Sequence, residues 1–404
     1  MKFYTAAFIT LLAFFAASLR AQDYKLAVSL QHRSMDWWYL APENSSPFVQ
    51  NINSGFCGEK LSLFAFAKTD KKGAYSCSYE ISVVLPDKTS KVLVQNSEFS
   101  YESKSDNVSY FPLSNQADFT VPNQKGEYVF VLKIKDKNGN STEYKSAFAV
   151  ADFCAENFNM TRSKAIRLMY DYCAQPNLQA LYTMFLSPKV SITQKGAPLG
   201  LNWLFMGFFK TAFSQQPFLF EKLQGNLATF DEYQKVKAIT LLAVSGITPN
   251  EKFLSENDKK AVNFIASCPF PDPYKIFAYE FAPAQIDWLF GEFYATGRYK
   301  TFLRIMDMLK NTQEGAYAES LLRSKSKPIT DDDKKRFAIG AGYLECLRLV
   351  ALNLDNDLFS KYLYKALKDG ELDRPVAMQI AVLLKTKREN KNAEKNAKVI
   401  EIKK

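Results

Sequence analysis

Hydrophobic and polar residues alternate one by one through much of the first third of the chain, from residue 25 to residue 150. The alternation is clear around Leu61, Leu63 and Ala65 and returns in several later segments. A period of two is typical of β-strands that turn one face towards a core. Turn-forming residues separate the segments, and Asn138 with Gly139 marks a tight hairpin. The pattern predicts about seven short strands in a β-sandwich.

One of these segments carries a resemblance. From Gly126 it reads Gly-Glu-Tyr-Val-Phe-Val-Leu and continues to Asp136 and the hairpin. It resembles the penultimate strand of immunoglobulin-like and fibronectin-like domains, which implies that Tyr128 caps a corner of the fold. Phe130 stands where antibody domains carry a disulfide cysteine, so the resemblance implies the architecture and no activity.

Beyond residue 160 the apolar positions recur with the period of an α-helix. Thr161 is predicted to cap the first helix, and Thr229 to cap a helix over 230–245. Thr330 is predicted to cap a long helix whose first turn holds Asp331, Asp332 and Asp333, where a helix favours negative charge. Metal binding by these three acids is the alternative, but consecutive helical residues point around the axis and do not converge.

An internal repeat lies within the helical part. The ten residues from Asn202 match the ten from Asp287 at five positions, an offset of 85 residues. Each copy leads into a second helix, so the repeat predicts stacked helical hairpins, the first beginning with a helix over 199–213. The aromatic positions are predicted core anchors, with ligand stacking on the tryptophans as the alternative; they are Trp203, Phe208, Trp288 and Phe293.

The repeated Trp-Leu-Phe segment resembles one found in uncharacterised exported bacterial helical-hairpin proteins, and this resemblance implies no activity. The fold class is therefore predicted as an immunoglobulin-like β-sandwich followed by an α-solenoid-like array. The predicted domains are a signal peptide (1–21), the sandwich (22–153), the helical repeat domain (160–385) and a basic, disordered tail (386–404).

The beginning of the chain predicts export. Lys2 precedes an apolar run that reaches Leu19, and small residues before Gln22 suit a signal peptidase. We expect a periplasmic or secreted protein with no transmembrane span after cleavage. A membrane anchor is the alternative, although the run is short for a span.

Composition excludes several kinds of chemistry. The chain has one histidine, His32, so a Ser-His-Asp or Cys-His pair could form only there, and a histidine-rich metal site could not form. No cysteines are spaced as in a zinc or redox motif, and we predict no cofactor. The net charge of +10 lies partly in the lysine-rich tail. A solvated tail is favoured over one that binds nucleic acid or lipid, because interleaved aromatic residues are lacking.

Six cysteines in an exported chain allow many pairings. Cys57 and Cys77 are predicted at opposite ends of adjacent antiparallel strands, too far apart to bond. Immunoglobulin-like strand order would instead bring Cys154 towards Cys57, so this pair is the predicted disulfide, with buried free thiols as the alternative.

An apolar segment before the second strand is the candidate interface, formed by Trp37, Trp38 and Tyr39. It is too apolar for a free loop. We expect it to pack between the two domains, with an exposed patch that binds a protein partner as the alternative.

These features favour a non-catalytic interaction or scaffold protein of the cell envelope, which binds a protein or peptide through its helical array. The first alternative is a carboxylate-dependent, glycosidase-like enzyme acting on carbohydrate, with Glu280, Asp287 and Glu292 as candidate acids. The second alternative is a secreted adhesin. The sequence leaves the oligomeric state open.

Peptide mapping without reduction tests the predicted disulfide. We expect the peptide that contains Cys57 to be recovered joined to the peptide that contains Cys154, and reduction to separate them. Recovery of Cys57 joined to Cys77 would contradict both the pairing and the predicted strand order.

Overall fold

The computed structural model describes residues 22–29, 51–104, 106–113, 117–153, 160–277, 281–325, 327–328 and 330–387. Strands fill the described part before residue 154, and helices fill the part after residue 160. The chain divides into two compact units, Met1–Cys154 and Ala155–Lys404. The predicted order of a β region followed by an α region is confirmed, and the change occurs where the units meet in sequence.

Nine strands are present in the described residues of the first unit. They are β1 (Gln22–Ser29), β2 (Ser54–Phe56), β3 (Lys60–Thr69), β4 (Gly73–Val84), β5 (Ser90–Ser103), β6 (Ser109–Pro112), β7 (Ala117–Thr120), β8 (Gly126–Asp136) and β9 (Ser141–Ala151). The predicted hairpin at Asn138 and Gly139 joins β8 to β9, and Gly139 has the positive φ that a tight turn requires.

The strands form two sheets. In the first, β1 pairs with β3, which also pairs with β7 and β6 along successive parts of its length. The second has the order β2-β9-β8-β4-β5 and is antiparallel, except that β2 runs parallel to β9. Rings from both sheets meet: Phe119 of β7 contacts Phe130 of β8, with 5.4 Å between ring centroids. The sheets therefore pack on each other around an aromatic core.

Tyr128 lies at the start of β8 and is fully buried. Its hydroxyl donates a 2.7 Å hydrogen bond to the backbone carbonyl of Gln124, four residues earlier. This bond ties β8 to the turn that precedes it, as expected of a residue that caps a corner.

The strand register positions Cys57 near the end of β9. Phe56 of β2 lies opposite Ala151, and its ring contacts that of Phe153 at 4.9 Å between centroids. Cys154 lies outside the described residues, so its pairing with Cys57 stays a prediction. Cys57 and Cys77 are not bonded to each other.

The second unit has twelve helices in its described part. They are α1 (Arg162–Asp171), α2 (Leu178–Leu186), α3 (Trp203–Gln215), α4 (Phe218–Asn226), α5 (Glu232–Val244), α6 (Glu256–Ser267), α7 (Ala282–Thr296), α8 (Tyr299–Met308), α9 (Thr312–Ser324), α10 (Asp331–Asn353), α11 (Asp357–Lys368) and α12 (374–387).

Two helices begin at the caps predicted from the sequence, and two others begin at different residues. Thr161 caps α1, and Thr330 caps α10 in a reciprocal capping box with Asp333. The cap of α5 is Asp231 and not Thr229, because the Asp231 carboxylate and Gln234 form a capping box there. Likewise α3 begins at Trp203, after the cap Asn202, and not at residue 199.

The two repeat helices, α3 and α7, pack directly on each other. The rings of Trp203 and Trp288 stack with 5.6 Å between centroids. A Cβ added to Gly207 would lie 2.5 Å from the carbonyl oxygen of Trp288, and one on Gly291 would meet the backbone of Leu204 still more closely. Their backbones therefore touch where only glycine leaves room.

Glycine and aromatic residues also join the later helices. Gly340 of α10 faces the backbone of Glu314 in α9, and Gly315 of α9 faces the ring of Tyr343. Phe359 of α11 packs against Phe293 of α7, with 5.5 Å between ring centroids. Aromatic side chains, which make up 14% of the sequence, are thus used in the packing of these helices.

Among the described residues, no single helix combines the length and apolar character needed to cross a bilayer. Helices α10 and α11 meet the length and composition criteria only when taken together, and they are bent by 112° at the break between them.

Glu59 is an unusual feature of the first unit because its side chain is only 1% exposed. Its carboxyl group occupies the space that a side chain on Gly55 would fill, next to the ring of Phe148. The Oε2 atom is buried without a hydrogen-bond partner. Loss of hydration raises the pKa of Glu59 from 4.5 to about 8, opposed only in part by the backbone of Phe56.

Substitution of Gly207 tests the close contact between α3 and α7. We expect Gly207→Ala to lower the free energy of unfolding by about 1–3 kcal/mol, because two backbones would have to separate. Gly225→Ala is the matched control, since open space surrounds Gly225 in α4. This control should stabilise the protein by roughly 0.5–1 kcal/mol. Urea unfolding followed by circular dichroism measures both, and equal effects would contradict the packing.

Glu59 predicts a dependence of stability on pH. Its folded pKa lies above its unfolded value, so its contribution is fully present below about pH 4.5 and is lost as the pH rises through about 8. The loss should reach a few kcal/mol, since one pKa unit is worth about 1.4 kcal/mol. Urea unfolding across this range should show Glu59→Gln flattening the pH dependence, and the exposed control Glu127→Gln leaving it unchanged. If the free energy of unfolding fell equally with rising pH in Glu59→Gln and in the parent protein, Glu59 would not be the cause.

Candidate ligand-binding pocket

The clearest pocket in the described part of the second unit lies beside the paired repeat helices. Its volume is about 500 Å³, within the range of small-molecule sites. Helices α3 and α7 supply most of its wall, and the segment before α7 and the start of α8 complete it. The lining residues are Lys210, Thr211, Ser214, Gln215, Pro273, Tyr274, Trp288, Glu292, Arg298 and Lys300.

Lys210 and Trp288 form one wall. The Lys210 ammonium lies 4.9 Å from the centre of the Trp288 ring, an arrangement that attracts a cation to the ring. Trp203 also stacks on Trp288, so the indole is held between two neighbours. Burial lowers the pKa of Lys210, while the charges of Asp272 and Glu292 oppose that shift.

Glu292 forms the base of the pocket. It follows Gly291 in α7, and its side chain is 7% exposed. Its Oε1 atom accepts a 2.8 Å hydrogen bond from the Thr301 hydroxyl and a second, short bond from the Tyr274 hydroxyl. Burial and the Glu292 charge raise the pKa of Tyr274, so the phenol keeps its proton and acts as a donor. These two donors fix the orientation of the carboxylate.

Arg304 of α8 holds the segment that carries Tyr274. Its Nε atom donates a 3.0 Å hydrogen bond to the carbonyl of Pro273, and its guanidinium also donates to the carbonyl of Lys275. The same group lies 3.8 Å from the centre of the Phe277 ring. Tyr274 is therefore positioned by contacts on both sides of it in sequence.

The pocket has an excess of positive charge. Lys210, Arg298 and Lys300 line it together with a single carboxylate, Glu292. The Lys300 ammonium lies 5.5 Å from the centre of the Tyr274 ring. Within the described ranges, none of the three cations has an ion-pair partner within 4 Å. Charged groups in this pocket are thus left for a ligand to contact.

The predicted core anchors are all buried. Trp203 and Trp288 stack on each other, so one ring face of each indole is covered by the other. Phe208 packs against Tyr172, whereas Phe293 packs against Phe359 and Tyr362, so these equivalent residues have different neighbours. The candidate interface of Trp37, Trp38 and Tyr39 lies outside the described residues, as do Glu280 and His32.

The candidate acids are not gathered in one place. Glu292 lines the pocket, whereas Asp287 is hydrogen-bonded to Glu345, with burial and the Glu345 charge raising its pKa. The acids Asp331 to Asp333 occupy the first turn of α10, where Asp333 completes the cap. No group of three histidine, cysteine, aspartate or glutamate side chains in the described segments could hold a metal ion.

Sequence reasoning named Glu292 and Trp288 but missed Lys210, Tyr274, Arg298 and Lys300. The repeat contained a signal for two of the pocket residues. Lys210 corresponds to Ala295 in the second copy, and Glu292 corresponds to Gly207 in the first. Charged residues at repeat positions that are small in the other copy could have marked a site. The contribution of Tyr274 depends on long-range contacts and had no such signal.

No protein family and no curated protein matches the chain. Among solved structures, the sporulation control protein Spo0M of Bacillus subtilis matches with 15% identity and a TM-score of 0.19, over 33% of this chain and 50% of that one. A family 123 glycoside hydrolase from Clostridium perfringens matches with 11% identity and a TM-score of 0.17, over 40% of this chain and 33% of that one. A structure titled pT26-6p matches with 6% identity and a TM-score of 0.17, over 85% and 50%. At these scores the matches carry no argument about fold or function.

Proposed function

We propose that the protein is a non-catalytic binding protein whose helical unit binds a protein or peptide segment in the pocket between α3 and α7. The observation that carries this proposal is the fixed arrangement of charged groups there. Tyr274 and Thr301 hold Glu292, and Trp288 holds Lys210. Groups that are already oriented lose little freedom when a ligand binds, which favours recognition.

The apolar beginning of the chain supports export, so the proposed place of action is the cell envelope or the exterior. The strand order supports an immunoglobulin-like domain. In that fold the first, second and fifth strands share one sheet, and the third, sixth and seventh share the other. The first group fits β1, β3 and β7, which share one sheet, and the second fits β4, β8 and β9, which share the other. The hydrogen bond of Tyr128 at the start of β8 adds to the likeness.

A glycosidase-like enzyme is less well supported. Such enzymes use two carboxyl groups about 5–9.5 Å apart in one cleft. Glu292 is the single carboxylate among the residues that line the pocket, and Asp287 is engaged with Glu345 elsewhere. A secreted adhesin would also be exported and would also bind a ligand. It differs from the proposed protein only in that its ligand would lie on the surface of another cell.

A library of short synthetic peptides tests the binding function. We expect the purified protein, without its first 21 residues, to enrich a subset of peptides whose masses stay unchanged. Lys210→Met combined with Glu292→Gln should reduce this enrichment by about tenfold or more, because both fixed charges are removed. Lys260→Met is the matched control, since it removes an exposed lysine from α6, away from the pocket.

Two results would count against the proposal. Enrichment that is unaffected by the double variant would show that peptides bind elsewhere. Cleaved or otherwise altered peptides would show that the protein is catalytic. Circular dichroism of each variant establishes that the comparison is between folded proteins.

A further inference from the structure

The charges of the pocket have opposite signs in a small space, and this limits the ligands that suit it. Lys210, Arg298 and Lys300 would attract an anion, but the same anion would meet Glu292 at the base. A cation drawn to Glu292 would in turn meet three like charges. A ligand that carries both a positive and a negative group can pair with Glu292 and with the three cations at the same time, so no charge is left unpaired.

Glu292 has an oxygen that is free for such a ligand. Its Oε1 atom already accepts the bonds from Tyr274 and Thr301, which hold the carboxyl group in place. In the described part of the chain Oε2 has no hydrogen-bond partner, and it is not among the fully buried unpartnered atoms. Oε2 is therefore the natural acceptor for a compact donor with positive charge, such as a primary ammonium.

The cations are arranged around the same space from two directions. Lys210 is on α3, held against Trp288. Arg298 immediately precedes α8, Lys300 lies in the first turn of that helix, and both are exposed. Thr211, Ser214 and Gln215 of α3 add uncharged donors and acceptors. Carboxylates accept hydrogen bonds from all of these groups, and charge-assisted bonds to lysine and arginine are the strongest.

We propose that the pocket recognises a zwitterionic acid: a primary ammonium bound by Glu292, together with carboxylates bound by Lys210, Arg298 and Lys300. A free acidic amino acid and the first residue of an acidic peptide both have this chemistry. The inference rests on the proposed peptide-binding function, so the amino-terminal end of an acidic peptide is the expected source. The additional contacts along α3 should make the peptide bind more tightly than the amino acid.

Isothermal titration of the full mature protein tests this with four probes: glutamate, a glutamyl-glutamyl-glycine peptide, its N-acetylated form and its glutaminyl analogue. We expect acetylation to weaken binding of the peptide by about tenfold or more, because the ammonium is lost. Replacement of both glutamyl residues by glutaminyl residues should weaken it to a similar extent and reduce its dependence on salt.

Variants assign each effect to its residue. Glu292→Gln should abolish the difference between the free and acetylated peptides, and Arg298→Gln should shrink the difference between the glutamyl and glutaminyl peptides. Arg298 is exposed, so its variant remains informative if the buried substitution prevents folding. Lys260→Met, on α6, should change neither difference.

Four outcomes can be distinguished. Equal binding of the free and acetylated peptides, or of the glutamyl and glutaminyl peptides, would overturn the inference but leave peptide binding intact. Binding of glutamate as tight as that of the peptide would support zwitterion recognition and count against a peptide ligand. Binding of none of the four probes, while the peptide library is still enriched at the pocket, would overturn the inference alone. If no library peptide binds either, the proposed function fails as well.

Discussion

The contact between the backbones of α3 and α7 is the constraint on which the helical unit depends. Gly207 and Gly291 let the two helices touch, and the contact brings the rings of Trp203 and Trp288 together. Because the helices are so close, Lys210 on one and Glu292 on the other share a single pocket. Any side chain at the glycine positions would separate these charges, so packing and site geometry have the same origin.

The pocket also shows how a buried carboxyl group is accommodated among aromatic side chains. Removal of a carboxylate from water is costly unless donors replace the water. Tyr274 and Thr301 supply such donors to Glu292, and Arg304 holds the segment that carries Tyr274. Glu59 differs in that its Oε2 atom is fully buried without a partner, and loss of hydration raises its pKa. The two acids therefore differ both in the donors around them and in how completely the carboxyl group is buried.

Local patterns in the sequence were enough for much of the fold. The alternating segments, the hairpin at Asn138 and the caps Thr161 and Thr330 depend on residues close together in the chain. The start of α5 was misplaced because Thr229 and Asp231 both suit a cap, and only the pairing with Gln234 decides between them. The repeat predicted buried tryptophans and stacked hairpins, but it could not indicate that Gly207 and Gly291 would bring the two helix backbones into contact. Tyr274 enters the pocket through contacts with residues far along the chain, which no local pattern records.

The equivalence of Gly207 and Glu292 within the repeat has a consequence for how such an array acquires binding sites. One copy needs the small residue so that its neighbour can approach, while the other copy carries the acid at the same place. The two demands exclude each other at any one position. Two repeated hairpins packed in this way therefore share one pocket, because the charged residue and the glycine that permits the close approach cannot occupy the same position in one copy.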